Sequence, residues 1–344
     1  MIHRFNFIEK LLLNKDLIPH PFADIGSMPA LGKALGVAVK MKITDQLGPK
    51  AKSVAQIARG ASVSEKGAEL VLDCLAALGY VVRTGDGYRF TRRGSIMLDR
   101  GSPRNMLHFI AFADQTYDSF VDLEDSIRYG RTSRNNLKDF SQEDWDLFSR
   151  AMIDVARTNL KEVTAKIRLP EGAKRIIDLG GSHGLYSIAL CQKHPGLAAT
   201  VLDLEPVRKF AEESIAAANM QGRVAYSACD FMQDALPAGQ DAALLFNIIH
   251  GFSPEQNTAL FSKVSGSLNK GGRLIILDQI KGTGGSSQLS QATTSFMAIN
   301  LFHQANGNAY SHEEVSAWSK AAGFNAARLD KLNAPGFGLI TCTK

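Results

Sequence analysis

Five short stretches of the chain carry residues whose types and spacing could do chemistry. The first is Asp178-Leu179-Gly180-Gly181-Ser182-His183-Gly184, which follows a short apolar run and precedes a helical pattern. That order reads as a buried strand, a tight loop and a helix N-terminus. Glycines let a backbone approach a ligand closely, and a helix N-terminus presents free N–H groups to an anion. Ser182 stands where the dinucleotide fingerprint G-x-G-x-x-G has its second glycine. Asp178, an acid at the strand's end, suits a ligand with a cationic part. Asp203 follows 25 positions later, the right distance for a carboxylate that grips a ribose diol. Asp230 could accept from an adenine amino group, with Phe231 lying on the ring. A fourth stretch ends in Asn247 and reaches His250, and a fifth ends in Asp278. Histidine is the natural base near neutral pH.

These residues need strand ends to hold them. From Ala173 onward the pattern alternates, with strands expected at 174–179, 199–203, 223–228, 242–247, 273–279, 325–331 and 337–343. Helices are expected near 185–194, 205–219, 254–268, 287–302 and 311–322. Such alternation implies a mostly parallel sheet covered on both faces. Asn333-Ala334-Pro335-Gly336 joins the last two strands as an antiparallel edge hairpin. Ligands of such sheets bind at the C-terminal strand ends, near the switch in strand order. Asp178, Asp203, Asp230, Asn247, His250 and Asp278 all fall there.

The first third reads differently. Helices are expected over 4–14 and 27–47. A short helix follows with Ser53 as N-cap, then a helix from Glu65 to Leu78 capped by Ser64. A hairpin through Val81–Arg83 and Tyr88–Phe90 completes a winged-helix pattern. Residues 1–104 hold 16 basic and 9 acidic side chains, a net +7 within a chain of net charge +5. Nucleic acid is nevertheless not the expected partner, because Glu65, Glu69 and Asp73 make the would-be recognition helix acidic. Residues 104–165 are expected to be wholly helical, rich in aromatic rings, and placed to wall a pocket between domains.

The chain of 344 residues is 45% hydrophobic, enough for a full core in about two domains. No run of about 18 apolar residues marks a membrane span. Charges break up the first 16 residues, which read as an amphipathic helix and not as a signal peptide. The four cysteines are scattered without metal-ligand or disulfide spacing, so no metal is expected and reduced thiols point to the cytoplasm.

The motifs DLGGSHG (178–184), VLDLEPV (201–207), CDF (229–231), IIHGFSPEQ (248–256) and GGRLIILDQI (271–280), with the winged-helix stretch and FSRAM (148–152), carry a resemblance. The chain resembles the class I S-adenosylmethionine-dependent methyltransferases. More narrowly, it is similar to the small-molecule O-methyltransferases with an N-terminal winged-helix dimerisation domain, known from plant phenolic and bacterial natural-product pathways. The resemblance implies a Rossmann-like, seven-stranded, mostly parallel sheet. It implies a dimerisation domain over 1–103, a pocket-forming helical linker over 104–165 and a cofactor-binding catalytic domain over 166–344. The cofactor would be S-adenosylmethionine, held by Asp178, Gly180, Gly181, Gly184, Asp203, Asp230 and Phe231, with Asn247 beside them at the fourth strand end. His250 would be the base and Asp278 its orienter. Phe109, Tyr117, Phe148, Met152, Asn300, His303 and Gln304 would line the substrate pocket, with Met152 facing the reacting methyl. A homodimer through the N-terminal domain is expected, with residues 1–25 as a candidate swapped arm.

The chain departs from the family pattern at several of these positions. Ser182 replaces a glycine, His183 adds an imidazole, and His250-Gly251-Phe252 replaces His-Asp-Trp. Asp278 is one methylene shorter than the usual glutamate. Ala309 replaces a second acid, and Asn300, His303 and Gln304 make the pocket helix more polar. These departures leave two other uses open, N- or S-methylation of a small polar acceptor and intramolecular displacement releasing methylthioadenosine. The basic first third leaves a third use open, a winged-helix DNA-binding regulator that senses the cofactor, against which the acidic helix counts.

Overall fold

The computed structural model describes residues 20–85, 87–132, 140–285, 287–325 and 327–344. The helix expected over 4–14, and all but the last six residues of the candidate arm over 1–25, lie outside the described residues. The chain forms two compact units, one ending at Ser119 and the other spanning Phe120–Lys344.

In the first unit, helix α1 (Met28–Lys40) is shorter than its apolar spacing predicts. Lys42 takes a left-handed φ of 57°, and only a 3-10 turn, Thr44–Gln46, continues it. Strand β1 (Lys52–Ser53), helices α2 (Val54–Ala61) and α3 (Glu65–Ala77), and strands β2 (Val81–Thr84) and β3 (Gly87–Phe90) follow. Ser53 both ends β1 and caps α2, where Gln56 answers it in a reciprocal capping box. Ser64 caps α3. The small sheet has the order β1-β3-β2, so the hairpin carries a third strand that the sequence pattern did not announce. Ile57, Leu72, Leu75, Tyr88 and Leu98 form the core. Two acids of α3 turn to the hairpin. Tyr88 donates its hydroxyl to Asp73 at 2.5 Å, and Glu69 lies 3.8 Å from Arg83. Helices α4 (Arg92–Met97) and α5 (Leu107–Asp118) complete the unit.

The stretch 104–165 is not wholly helical, contrary to its pattern. After α5 a 3-10 turn spans Ser119–Asp122, and α6 (Leu123–Tyr129) ends at Gly130, whose φ is 64°. Helix α7 (Gln142–Lys166) then starts afresh at a capping box between Ser141 and Asp144.

The second unit is built on one sheet. Its elements are β4 (Arg175–Leu179), α8 (Leu185–Lys193), β5 (Ala198–Asp203), α9 (Arg208–Ala217), β6 (Val224–Ala228), β7 (Gln240–Phe246), α10 (Pro254–Ser267) and β8 (Leu268–Lys281). Then come α11 (Gln288–Ala305), β9 (Tyr310–Ser311), α12 (His312–Ala321), β10 (Arg328–Lys331) and β11 (Phe337–Thr343). The strand order is β10-β11-β8-β7-β4-β5-β6, with the two-residue β9 added beside β8. Strands β4 to β8 run parallel, and β11 joins β8 antiparallel. Strand residues alternate between two cores, as a period of two requires. Ile176, Val201, Phe246 and Leu277 face α7, α8 and α9. Ile177, Leu179, Leu245 and Ile276 face α10 and α12. Each fully buried aliphatic side chain contributes about 1.5–3 kcal/mol, which explains why these strands read as nearly continuous apolar runs.

The chain leaves β4 in one direction through β5 and β6, then returns to β7 on β4's other side. The switch point therefore lies between the C-terminal ends of β4 and β7.

Candidate active site at the strand switch point

The loops after β4 and β7 meet at the switch point. A Cβ at Gly180 would lie 2.2 Å from Ile248 and 3.6 Å from the Phe231 ring, and Gly180 has a φ of 67°. Only glycine fits this turn. Asp178 lies beneath it, 1% exposed. Ser187 donates to its Oδ2 at 2.7 Å, while Oδ1 has no partner among the described residues. Burial pushes the Asp178 carboxyl up to about 7, the nearby Asp203 charge adds to the rise, and the Ser187 bond opposes it.

Asp203, at the end of β5, accepts the Ser182 N–H at 2.8 Å and the Leu204 N–H at 2.7 Å. Burial pushes its carboxyl up to about 6 against these two bonds. Asp203 thus closes on the glycine loop across the gap between β4 and β5. Ser182 holds a left-handed φ of 42°, and its Oγ is buried with no partner among the described residues. His183 is buried, and its Nδ1 accepts the Leu185 N–H at 3.1 Å. Burial lowers its pKa to about 4.

His250 lies on a 3-10 turn, Ile249–Gly251, just after β7. Its Nδ1 is 2.7 Å from Asp278 Oδ1. The same Oδ1 accepts the Gln279 N–H at 2.8 Å. Asp278 is fully buried, whereas the His250 side chain is 17% exposed, and its Nε2 has no partner among the described residues. Several contacts fix the turn. Asn257 donates to the Ile249 and Phe252 carbonyls, the Tyr310 hydroxyl donates to the Phe252 carbonyl, and the Asn308 N–H donates to the His250 carbonyl at 2.8 Å. Asn247 reaches this turn through a left-handed φ of 56°, so β7 ends one residue before the expected boundary. A buried carboxylate on Nδ1 leaves the exposed Nε2 with a lone pair, the arrangement of an oriented general base.

The other expected site residues divide. Asp230 is exposed and accepts the Met232 N–H at 3.0 Å, so in this state it caps the following turn. Phe231 is buried, 6.1 Å from Phe252 in an edge contact. Met152 is half-buried on α7. Phe148 packs edge-on against Trp145 and Phe140. Asn300 has an Oδ1 with no partner among the described residues. His303 is fully buried, with Nδ1 2.8 Å from Ser126 Oγ, Nε2 3.4 Å from Asp122 and its ring against Phe120. It joins α11 to α6 from the interior. Gln304 is buried beside it. Phe109 and Tyr117 lie on α5 of the first unit, with 38% and 51% of their surface exposed. The sequence reading overlooked Gln279, which is 5% exposed and has an unpartnered Oε1 among the described residues. An amide in an otherwise apolar strand, directly after Asp278, was the available signal.

Buried polar atoms without partners are costly. Asp178 Oδ1, Ser182 Oγ, Asp278 Oδ2 and Gln279 Oε1 all lie at the ends of β4 and β8 or in the loop after β4. Their concentration marks this end of the sheet as a site for a polar ligand. Fold and site together define a Rossmann-like α/β protein with a polar ligand site at the strand switch point.

The O-methyltransferase domain family matches residues 120–325. This chain belongs to that family, whose members depend on S-adenosylmethionine. It is 27% identical over 312 residues to a 3-hydroxy-5-methyl-1-naphthoate 3-O-methyltransferase of Streptomyces sahachiroi, covering 88% of this chain and 89% of that one. It is 29% identical over 200 residues to an L-tyrosine C(3)-methyltransferase of Streptomyces lavendulae, covering 57% and 53%. The crystal structure of human N-acetylserotonin methyltransferase in complex with its cofactor superposes with a TM-score of 0.82 at 22% identity, covering 99% of each chain.

Proposed function

We propose that this methyltransferase acts on a hydroxyl of a small aromatic natural product bearing polar substituents, with His250 as base and Asp278 as its orienter. The observation that carries the reading is the His250–Asp278 bond, which leaves Nε2 free at a strand end. Naphthoate, tyrosine and N-acetylserotonin in the names of similar proteins support an aromatic acceptor.

When bound, S-adenosylmethionine supplies an electrophilic methyl group. The residues present suit it. Asp178, with an unpartnered Oδ1, would face its ammonium, the loop 180–184 would border its methionine part, and Asp203 would grip its ribose. Phe231 would lie against the adenine. His250 Nε2 takes the acceptor's hydroxyl proton as the oxygen attacks, and Asp278 stabilises the resulting imidazolium. Displacement at a methyl carbon needs alignment above all, and the hydrogen-bonded turn around His250 supplies a fixed base.

The first unit is the candidate for dimerisation, and the exposed Phe22 and Ile25 support this. Among the described residues no helix is long and apolar enough to cross a membrane.

The test is methyl transfer from labelled S-adenosylmethionine to a panel of hydroxynaphthoates and substituted phenols. Incubation with the cofactor alone is the control. Methylthioadenosine formed without an acceptor would overturn the methyl-transfer reading. Sedimentation of the full chain at micromolar concentration tests the dimer.

A further inference from the structure

Two positions near the base lack the acids of the family pattern. Gly251 follows His250 directly, and Ala309, fully buried, stands where a second acid would be. Neither has a side chain that can hydrogen-bond. The structure holds the His250 turn by its carbonyls instead. Asn257 lies at the start of α10 and is fully buried. Its Nδ2 donates to the Ile249 carbonyl at 2.9 Å and to the Phe252 carbonyl at 3.1 Å. The two neighbours of Ala309 add to this. The Asn308 N–H donates to the His250 carbonyl at 2.8 Å, and the Tyr310 hydroxyl donates to the Phe252 carbonyl at 2.6 Å. Both partners of the Asn257 amide are acceptors, so its NH2 group must face them. Its Oδ1 is buried with no partner among the described residues. An apolar side chain would avoid the cost of that orphaned oxygen, so what the amide contributes is its pair of donors.

We propose that Asn257 is a positioning residue, assisted by Tyr310: it clamps the backbone on either side of His250 and so aims the imidazole at Asp278, in place of the missing acids. The inference rests on His250 acting as the base. The geometry explains how a backbone clamp can aim a side chain. A peptide unit is planar, so a residue's φ and ψ are set by the two peptide planes that meet at its Cα. The Ile249 carbonyl belongs to the plane before His250 and is held by Asn257. The His250 carbonyl belongs to the plane after it and is held by Asn308. With both planes fixed, the direction of the Cα–Cβ bond is fixed, and the 2.7 Å bond from Nδ1 to Asp278 then sets the ring. The bonds to the Phe252 carbonyl anchor the far end of the turn to α10 and to Tyr310. A misplacement of about 1 Å between reacting groups costs on the order of a hundredfold in rate, so a clamp that acts only on the base still governs turnover.

Nitrogen-15 labelling of the histidines in the full, ligand-free chain tests this without any acceptor. The proton on Nδ1, held against the buried Asp278, should give a downfield signal that His250→Ala removes. Asn257→Leu keeps the side-chain volume and removes both donors. It should speed exchange of that proton with water by about tenfold or more, because the ring no longer stays on its carboxylate. Tyr310→Phe removes one donor to the Phe252 carbonyl and keeps the ring edge-on to Trp318. It should speed exchange by a smaller factor, above about twofold. Exchange within twofold of wild type in either folded variant would overturn the clamp. Kinetics with the phenols and hydroxynaphthoates add a second readout. Asn257→Leu should lower kcat by about tenfold or more, with KM for the acceptor within about threefold. Added to His250→Ala it should cost less than about twofold, because the group it positions is already gone. Equal losses in the two backgrounds would show a structural residue and not a positioning one. Should His250→Ala itself retain turnover, the base assignment fails, and the exchange of the Nδ1 proton still decides the clamp.

Discussion

His250 follows β7 and Asp278 lies within β8, 28 residues apart in sequence, yet Nδ1 and Oδ1 stand 2.7 Å apart. The carboxylate is fully buried and the imidazole is partly exposed. Only the proton-accepting edge of the pair therefore faces outward.

The first prediction follows from that asymmetry. His250→Ala should cut methyl transfer by about two to four decades, the usual contribution of a general base. Asp278→Asn should fall between that variant and the wild type, because the amide carbonyl still orients the ring but no longer offsets its charge. Calorimetry with S-adenosylmethionine should give wild-type affinity for both. Turnover by His250→Ala within threefold of wild type would remove the base from the mechanism.

The second prediction concerns pH. Asp178 is raised to about 7 and Asp203 to about 6, both chiefly by burial. An unfolded aspartate titrates near 3.9. Between about pH 4 and 7 the folded, ligand-free protein thus holds protons that the unfolded chain has released, and its stability falls as pH rises through that window. Urea midpoints should be higher at pH 5 than at pH 7.5. A ligand with an ammonium group pairs with ionised Asp178, so affinity for S-adenosylmethionine should rise from pH 5.5 to 7.5. Methylthioadenosine, which lacks the ammonium, should show a flatter profile. An affinity for S-adenosylmethionine that falls over this range would contradict the pairing.

Ser182 gives a third. Its φ of 42° places an L-residue in the left-handed region, which costs roughly 1–2 kcal/mol, and its buried hydroxyl has no partner among the described residues. Ser182→Gly should relieve both, while the freer unfolded chain takes back part of the gain. The expected net effect is a stabilisation of about 1 kcal/mol, read from urea unfolding at pH 7. A loss of stability would mean that the hydroxyl is engaged.

The order of strands, their ends and the acids placed there were legible in the sequence. Buried parallel strands leave nearly continuous apolar runs, and each acid interrupts such a run at its end. Asp178, Asp203 and Asp278 are all of this kind. Other features depend on partners far along the chain. His303 looked like a pocket residue by its place on α11, but its Nδ1 partner, Ser126, is 177 residues away. No helical period announces such a bond. Strand β1 is two residues long, and Ser53 reads first as a cap because capping is local while pairing with β3 is not. Asp230 shows the reverse case. Its bond to Met232 is two residues away, a local turn bond of the kind that an aspartate readily makes to nearby backbone.

The last prediction tests how the base is held. Gly307 follows α11, and a Cβ built there would lie 2.3 Å from the His250 carbonyl oxygen and 3.3 Å from Leu301. Neither Ile249–Gly251 nor α11 can yield without cost, because the Asn308 N–H binds the same His250 carbonyl and the Gly307 N–H binds the Leu301 carbonyl. Gly307→Ala should therefore move the His250 turn and not the glycine loop 180–184, which lies after a different strand. Methyl transfer should drop by about a hundredfold, as expected when a reacting group shifts by about 1 Å. Affinity for S-adenosylmethionine should stay within a factor of about three, because a shift below RT in binding energy corresponds to roughly that factor. Equal losses in cofactor affinity and turnover would show that the two loops move as one body, and that the base is not positioned separately from the cofactor.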